Sequence, residues 1–121
     1  MIRGGVELVV GVKRDPQIGP VVLVGLGGVL VEVLRDTAMA LAPVDRNEAR
    51  RMLERLRGFR LLEGYRGSPA VDLDAVCEAI ARISEFAADH AAVVEEIDVN
   101  PLLARPDGVL ALDALIVLKK E

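Results

Sequence analysis

Aromatic side chains are almost absent from this sequence. It has no tryptophan, one tyrosine (Tyr65) and two phenylalanines (Phe59 and Phe86). The core must therefore be aliphatic, built from Val, Leu, Ile and Ala. The shortage also removes the ring platforms on which single-stranded nucleic acid bases stack. Cysteine is equally scarce. Cys77 stands alone, which rules out an internal disulfide and makes a reducing compartment the simple expectation. Positive charge is in deficit: 15 Lys and Arg face 19 Asp and Glu, for a net charge of −4. A nucleic-acid phosphate track needs a basic patch, so that partner is disfavoured. The densest basic run, residues 50–60, alternates with acids and apolar residues, as a solvated helix face does. The longest apolar stretch, residues 20–31, is broken by glycines including Gly27 and Gly28. It is too short and too interrupted to cross a bilayer. No signal segment is visible, and the cytoplasm is the expected location.

What remains is ample aliphatic material. The chain has 121 residues, 52% of them hydrophobic, which fits one domain with a modest core. Residues 6–13 read as a β-branched strand. A loop punctuated by Pro16, Gly19 and Pro20 follows. Residues 21–24 form a short buried strand closed by Gly25-Leu26-Gly27-Gly28. Residues 29–34 resume an extended pattern, and residues 37–41 suit another short strand. A helix is predicted over 45–57. Asp45-Arg46-Asn47-Glu48 fits an acidic capping box, Ala49, Met52, Leu53 and Leu56 recur at helical spacing, and Gly58 is a plausible stop. A turn-rich connector spans 61–71. A second helix is predicted over 72–89, with Leu73, Val76, Cys77, Ile80, Ile83 and Ala87 as its apolar stripe. Strands at 93–100 and 109–118 are joined by Arg105-Pro106-Asp107-Gly108, which suits a β-turn. The expected class is α+β: a mostly antiparallel sheet with two main helices on one face.

The stretch VEEIDVNP, residues 93–100, is where chemistry enters. At period two, Val93, Glu95, Ile97 and Val99 share one face, and Val94, Glu96, Asp98 and Asn100 share the other. A hairpin about the Pro106–Asp107 turn sets Asn100 opposite Asp113, with Asp98 one diagonal step away. Opposed β-carbons come within about 4.5–5.5 Å. Pro101 is tolerable at an edge or a bulge. Converging carboxylates repel unless a cation joins them. Oxygen-only ligands point to Mg²⁺ or Mn²⁺ rather than zinc, and Mg²⁺ takes one or two protein carboxylates plus phosphate oxygens and water. The arrangement hints at a nucleoside triphosphate. A solvated sheet face carrying ordinary surface acids is the competing reading.

Four blocks then occur in an order and spacing that resemble a known family: GVELVVGVKRDPQIGPVVLVGLGGVLVEVLRD (5–36), LLEGYRGSP (61–69), EEIDVNPLL (95–103) and VLALDALIVL (109–118). Together they are similar to the second, C-terminal lobe of the ATP-grasp domain of the nucleoside-diphosphate-forming acyl-CoA synthetases, the ADP-forming acid–CoA ligases. The succinyl-CoA synthetase β-subunit is related. The resemblance implies interconversion of acyl-CoA, ADP and phosphate with a carboxylic acid, CoA and ATP, by way of a phosphohistidine. It implies that Asn100 and Asp113 are Mg²⁺ ligands, and that Asp98 lies near the docking place of the phosphohistidine loop.

Other positions stay open. Gly25, Gly27 and Gly28 could form a backbone nest for phosphate oxygens or a tight turn between strands. Glu32 could assist metal or phosphohistidine contacts, whereas Glu7 reads as a surface glutamate. Arg66, between glycines, could grip a phosphate or pin the connector. His90, the one histidine, sits at a helix end in an alanine-rich setting and reads as a surface or capping residue. No Ser–His–Asp or Cys–His arrangement is credible.

By the same resemblance, a first lobe should precede Met1. A CoA-binding domain and a domain carrying the phosphorylated histidine would also be needed, in the same chain or a separate subunit. As an isolated chain this lobe is not expected to catalyse the ligase reaction, and an oligomer is possible. Two further readings remain: a regulatory synthetase-like domain of a protein-lysine acetyltransferase, and a non-catalytic module that docks its acidic face on a partner subunit.

Overall fold

A computed structural model describes residues 5–27, 36–64, 67 and 69–120. The extended segment expected at 29–34 lies outside them. The first strand, β1 (Val6–Asp15), turns into β2 (Gly19–Leu26). Asp15 closes the turn: its carboxylate accepts hydrogen bonds from the amides of Gln17 (2.8 Å) and Ile18 (3.2 Å). Gly19 completes it at φ 93°, a backbone state that glycine adopts freely. Both strands run two residues further into this turn than their sequence pattern suggests. Next comes β3 (Thr37–Leu41), as expected.

The first helix, α1 (Arg46–Glu54), starts where the capping signal places it. The Asp45 carboxylate accepts the Glu48 amide at 2.7 Å. Glu48 itself turns to Arg51, at 2.8 Å, instead of reaching back to the cap. The helix ends before Gly58, because the Asp36 carboxylate accepts the amides of Arg57 and Gly58, each at 2.7 Å. A single helical turn, α2 (Arg60–Glu63), occupies part of the predicted connector and buries Leu62. The long helix α3 (Leu73–Asp89) matches its prediction and is capped by Asp72, which accepts the Ala75 amide at 3.1 Å. The final elements are β4 (Val94–Arg105), β5 (Gly108–Ala111) and β6 (Ala114–Leu118).

Among the described residues all the strand pairings are antiparallel, in the order β3-β2-β1-β4-β5, and β6 also pairs with β4. The helices cover one face of this sheet. Leu8, Val10, Val12, Val22 and Val24 point from the strands into an aliphatic core that they share with Met52, Leu53, Val76 and Ile80. Each such side chain contributes about 1.5–3 kcal/mol by leaving water. Among the described residues two polar side chains are buried, Asp36 and Ser84. The Ser84 hydroxyl, fully buried, accepts the Val44 amide at 2.9 Å and sits 3.2 Å from the Val44 carbonyl oxygen. It ties α3 to the segment that leads into α1.

Ser84→Ala strands the buried Val44 amide. It should lower stability by about 1–3 kcal/mol, read as a reduced urea midpoint with unchanged slope. Gly25→Ala should cost a similar amount, about 1–3 kcal/mol by overpacking. A β-carbon there meets Thr37 Cγ2 at 2.8 Å and the Asp36 carbonyl oxygen at 2.9 Å.

Candidate functional site

The sheet face turned away from the helices carries the acidic row. Glu96, Asp98 and Asn100 project from β4 on that side, while Ile97 and Val99 are buried on the helix side. The expected alternation holds for residues 96–100 but not for 93–95. The pairing of β4 with β6 shifts register between Val94 and Glu96, and one extra residue reverses the side-chain direction. Val94 is therefore buried and Val93 is 53% exposed, the opposite of the period-two assignment. Glu95 pairs with Arg14 at 3.7 Å.

The hairpin register is the predicted one. Val99 pairs with Ala114 and Asp98 with Leu115, and Leu102 pairs with Ala111 on the other side of the break. Between them the Asn100 amide donates to the Asp113 carbonyl at 3.0 Å, and the Leu112 amide donates to the Pro101 carbonyl at 3.0 Å. Asn100 and Asp113 thus stand opposite each other where β5 passes into β6. Opposed residues of an antiparallel ladder share a face, so both belong to the open side with Asp98. Both are solvent-exposed. β4 runs through Pro101 instead of stopping at it. The β1–β4 pairing is irregular between Leu8 and Val10, and the proline's missing amide is accommodated at that irregularity.

Asp98 pairs across to Gly11 of β1, and Glu96 to Lys13. Gly11 has no side chain, so the space beside Asp98 stays open. It continues into a groove of about 620 Å³, bounded by Asp98, Glu96 and Lys13 on one side and by Val9, Leu23 and Met39 on the other. Among the described residues, Asp98, Asn100 and Asp113 have no ion-pair or side-chain hydrogen-bond partner. Among the same residues, no three His, Cys, Asp or Glu side chains gather closely enough to hold a metal by themselves.

The glycine segment has a different character from either reading of its sequence. Gly25 is inside β2, paired with Val9 and Thr37, and the place a β-carbon would take is filled by the close approach of β3. The Gly27 amide donates to the Glu7 carbonyl at 2.8 Å, so it is not free for a phosphate. Neither residue has a left-handed φ; close backbone contact explains both. Gly28, Glu32 and Arg66 lie outside the described residues. Glu7 is exposed, as expected. His90 caps α3 with its ring 4.4 Å from that of Phe86. Cys77 is buried, and burial pushes its thiol pKa up.

Sequence reasoning missed Lys13 and the apolar wall. A signal for the wall was present: residues 21–24, VVLV, are apolar on both faces, the mark of a strand covered from both sides. Among the described residues the helices cover only one of those faces. Among the described residues no helix is long and apolar enough to cross a membrane.

The sequence profile of the ATP-grasp domain matches residues 1–118. The acetate–CoA ligase [ADP-forming] I of Archaeoglobus fulgidus is 42% identical over 121 residues, which are 100% of this chain and 18% of that protein. The β subunit of acetate–CoA ligase [ADP-forming] I from Pyrococcus furiosus is 37% identical over 118 residues, 98% of this chain and 50% of that one. Among solved structures, the dinucleotide forming acetyl-coenzyme A synthetase 1 of Ca. Korarchaeum cryptofilum superposes with a TM-score of 0.89 at 40% identity, over 95% of this chain and 54% of that chain. That structure holds coenzyme A and Mg-AMPPCP, with its phosphohistidine segment pointing towards the nucleotide binding site. The chain spans half or less of the curated relatives just described. Fold, profile and relatives agree with the resemblance read from the sequence: this chain belongs to the ATP-grasp domain family, in the form found in ADP-forming acyl-CoA synthetases.

Proposed function

We propose that this chain is the second lobe of an ATP-grasp domain, and that it handles a nucleotide and its Mg²⁺ within an ADP-forming acyl-CoA synthetase. The reaction served is the interconversion of acyl-CoA, ADP and phosphate with a carboxylic acid, CoA and ATP through a phosphohistidine. The observation that supports this most is the backbone bond from Asn100 to Asp113. It sets the two residues opposite each other, both exposed and without a cation partner among the described residues.

That donor set fits Mg²⁺ or Mn²⁺. It is all oxygen, carries one full negative charge, and leaves most of an octahedron to phosphate oxygens and water. Asn100 and Asp113 would hold the ion, which supplies charge neutralisation to the phosphates of ATP or ADP. Asp98 stands one step further along the row, at the groove, where it orients the incoming phosphohistidine loop. Once covered, the apolar wall of Val9, Leu23 and Met39 would shed its water, which would strengthen every charge interaction beside it. Gly11 and Gly25 contribute flatness. Gly28, Arg66 and Glu32 remain candidates for phosphate and phosphohistidine contacts. The first lobe closes over the open face, and CoA-binding and phosphohistidine domains complete the enzyme.

The test is made in the complete enzyme. Asn100→Ala and Asp113→Ala should each reduce nucleotide turnover by about 100-fold or more, given that even outer-shell losses at metal sites cost 10–100-fold. Calorimetric titration with Mg-ADP should show affinity falling by at least about tenfold, with circular dichroism unchanged. Wild-type turnover in both variants would overturn the metal assignment and favour a subunit-docking role for the acidic face.

A further inference from the structure

We infer that the outer edge of β6 is a self-pairing surface, through which two copies of this chain join their sheets about a two-fold axis at Ile116. The inference does not depend on the nucleotide site. Ala114–Leu118 reads ALIVL, and all five residues are exposed, with Leu115 at 58%, Ile116 at 49% and Leu118 at 63%. Among the described residues β6 pairs only with β4. Exposed edge strands are normally blunted by lysine, proline or a bulge. This one has none of these between Ala114 and Leu118; the bulge beside it belongs to β4.

Backbone geometry fixes how a second copy would fit. Two bonds bracket the strand: the Asn100 amide donates to the Asp113 carbonyl at 3.0 Å, and the Lys119 amide donates to the Val93 carbonyl at 2.8 Å. In an antiparallel ladder, residues bonding one neighbour alternate with residues bonding the other. Asp113, Leu115, Val117 and Lys119 therefore face β4. Ala114, Ile116 and Leu118 aim their amides and carbonyls at the open edge. An antiparallel copy must engage those same three positions. Centred on Ile116, the register does so: Ile116 meets its own copy, and Ala114 meets Leu118.

The side chains agree with that register. Leu115 falls opposite Val117, so every pair within the ladder is apolar. At each end Asp113 falls opposite Lys119, and this is a non-hydrogen-bonded pair, where side chains stand closest. Neither residue has an ion-pair partner within the chain among the described residues. A symmetric interface must present one patch to itself and be complementary to it. Here the sequence from Asp113 to Lys119 is complementary in charge and matched in hydrophobicity when read against its own reverse.

Sedimentation velocity of the 121-residue chain over a range of concentrations tests this. A reversible monomer–dimer equilibrium is expected, with the amides of Ile116 and Leu118 gaining hydrogen-exchange protection as dimer forms. Ile116→Lys sets two like charges on the axis and should leave only monomer. Lys119→Asp should weaken the dimer by about tenfold or more, since two symmetry-related pairs turn repulsive. Combining it with Asp113→Lys should restore most of the loss. Circular dichroism on each variant checks folding, which an exposed strand residue should not disturb. A chain that stays monomeric at every concentration would overturn the inference. So would a dimer that survives Ile116→Lys, or one in which the charge swap fails to rescue.

Discussion

The register between β4 and its return through β5 and β6 is the constraint on which the working face depends. A slip of one residue would send every side chain of β4 to the other side. Asp98 and Asn100 would enter an aliphatic core, and Ile97 and Val99 would leave it. The core forbids this. Ile97 and Val99 are each 5% exposed and are held against Val12 and Val10 of β1. Burying an unpaired carboxylate in their place would cost several kcal/mol, against the roughly 1.5–3 kcal/mol each apolar side chain contributes. The polar row is thus positioned by the residues between its members. The chemistry of the open face is set by packing on the closed one.

The acids also divide by task. Asp15, Asp36, Asp45 and Asp72 each accept backbone amides, closing a turn, starting a helix or ending one. Those carboxylates have their charge answered locally by oriented N–H dipoles. Asp98 and Asp113 accept none among the described residues. Asp98 stands beside a wall of Val9, Leu23 and Met39, where water would be displaced by any covering lobe or ligand. A carboxylate left unsatisfied next to apolar surface is poorly placed for stability alone. It is well placed to meet a cation that arrives with something to cover the wall. That is the setting proposed above for the open face.

Much of the architecture was legible in the sequence because it follows from local rules. Asp45 and Asp72 announced the two main helices, and Arg105 to Gly108 announced the hairpin that sets Asn100 opposite Asp113. The class, α+β with a mostly antiparallel sheet, followed from their order. What escaped was decided by partners distant in sequence. Gly58 looked like the helix stop, yet the chain leaves helical geometry earlier because Asp36, far upstream, captures two amides. Val93 and Val94 exchanged faces because a bulge, invisible to a period-two count, lies between β4 and β6. Gly25 and Gly27 resembled a phosphate nest, whereas their need for glycine is steric and arises from Thr37 and Glu7. The apolar open wall was written in VVLV but overlooked, since an apolar run alone does not say which side lacks a cover. The pairing of Asn100 with Asp113 was legible for a specific reason: a tight turn fixes register without help from the rest of the fold.

Asp113 stands in both arrangements proposed for the C-terminal strands, and that has a physical consequence. A carboxylate offers about four lone-pair sites, so geometry alone allows a divalent ion on one oxygen and an ammonium group on the other. Electrostatics sets the two against each other. A cation on Asp113 lowers the attraction that the carboxylate can offer to Lys119 of a second copy, and the paired lysine repels the incoming cation. Coupling of this kind is reciprocal: whatever the ion costs the dimer, the dimer costs the ion by the same factor. The strand break at Leu112 and Asp113 separates β5 from β6 and gives the carboxylate room to choose. Edge and site are then two uses of one residue, held in competition by a register that neither of them sets.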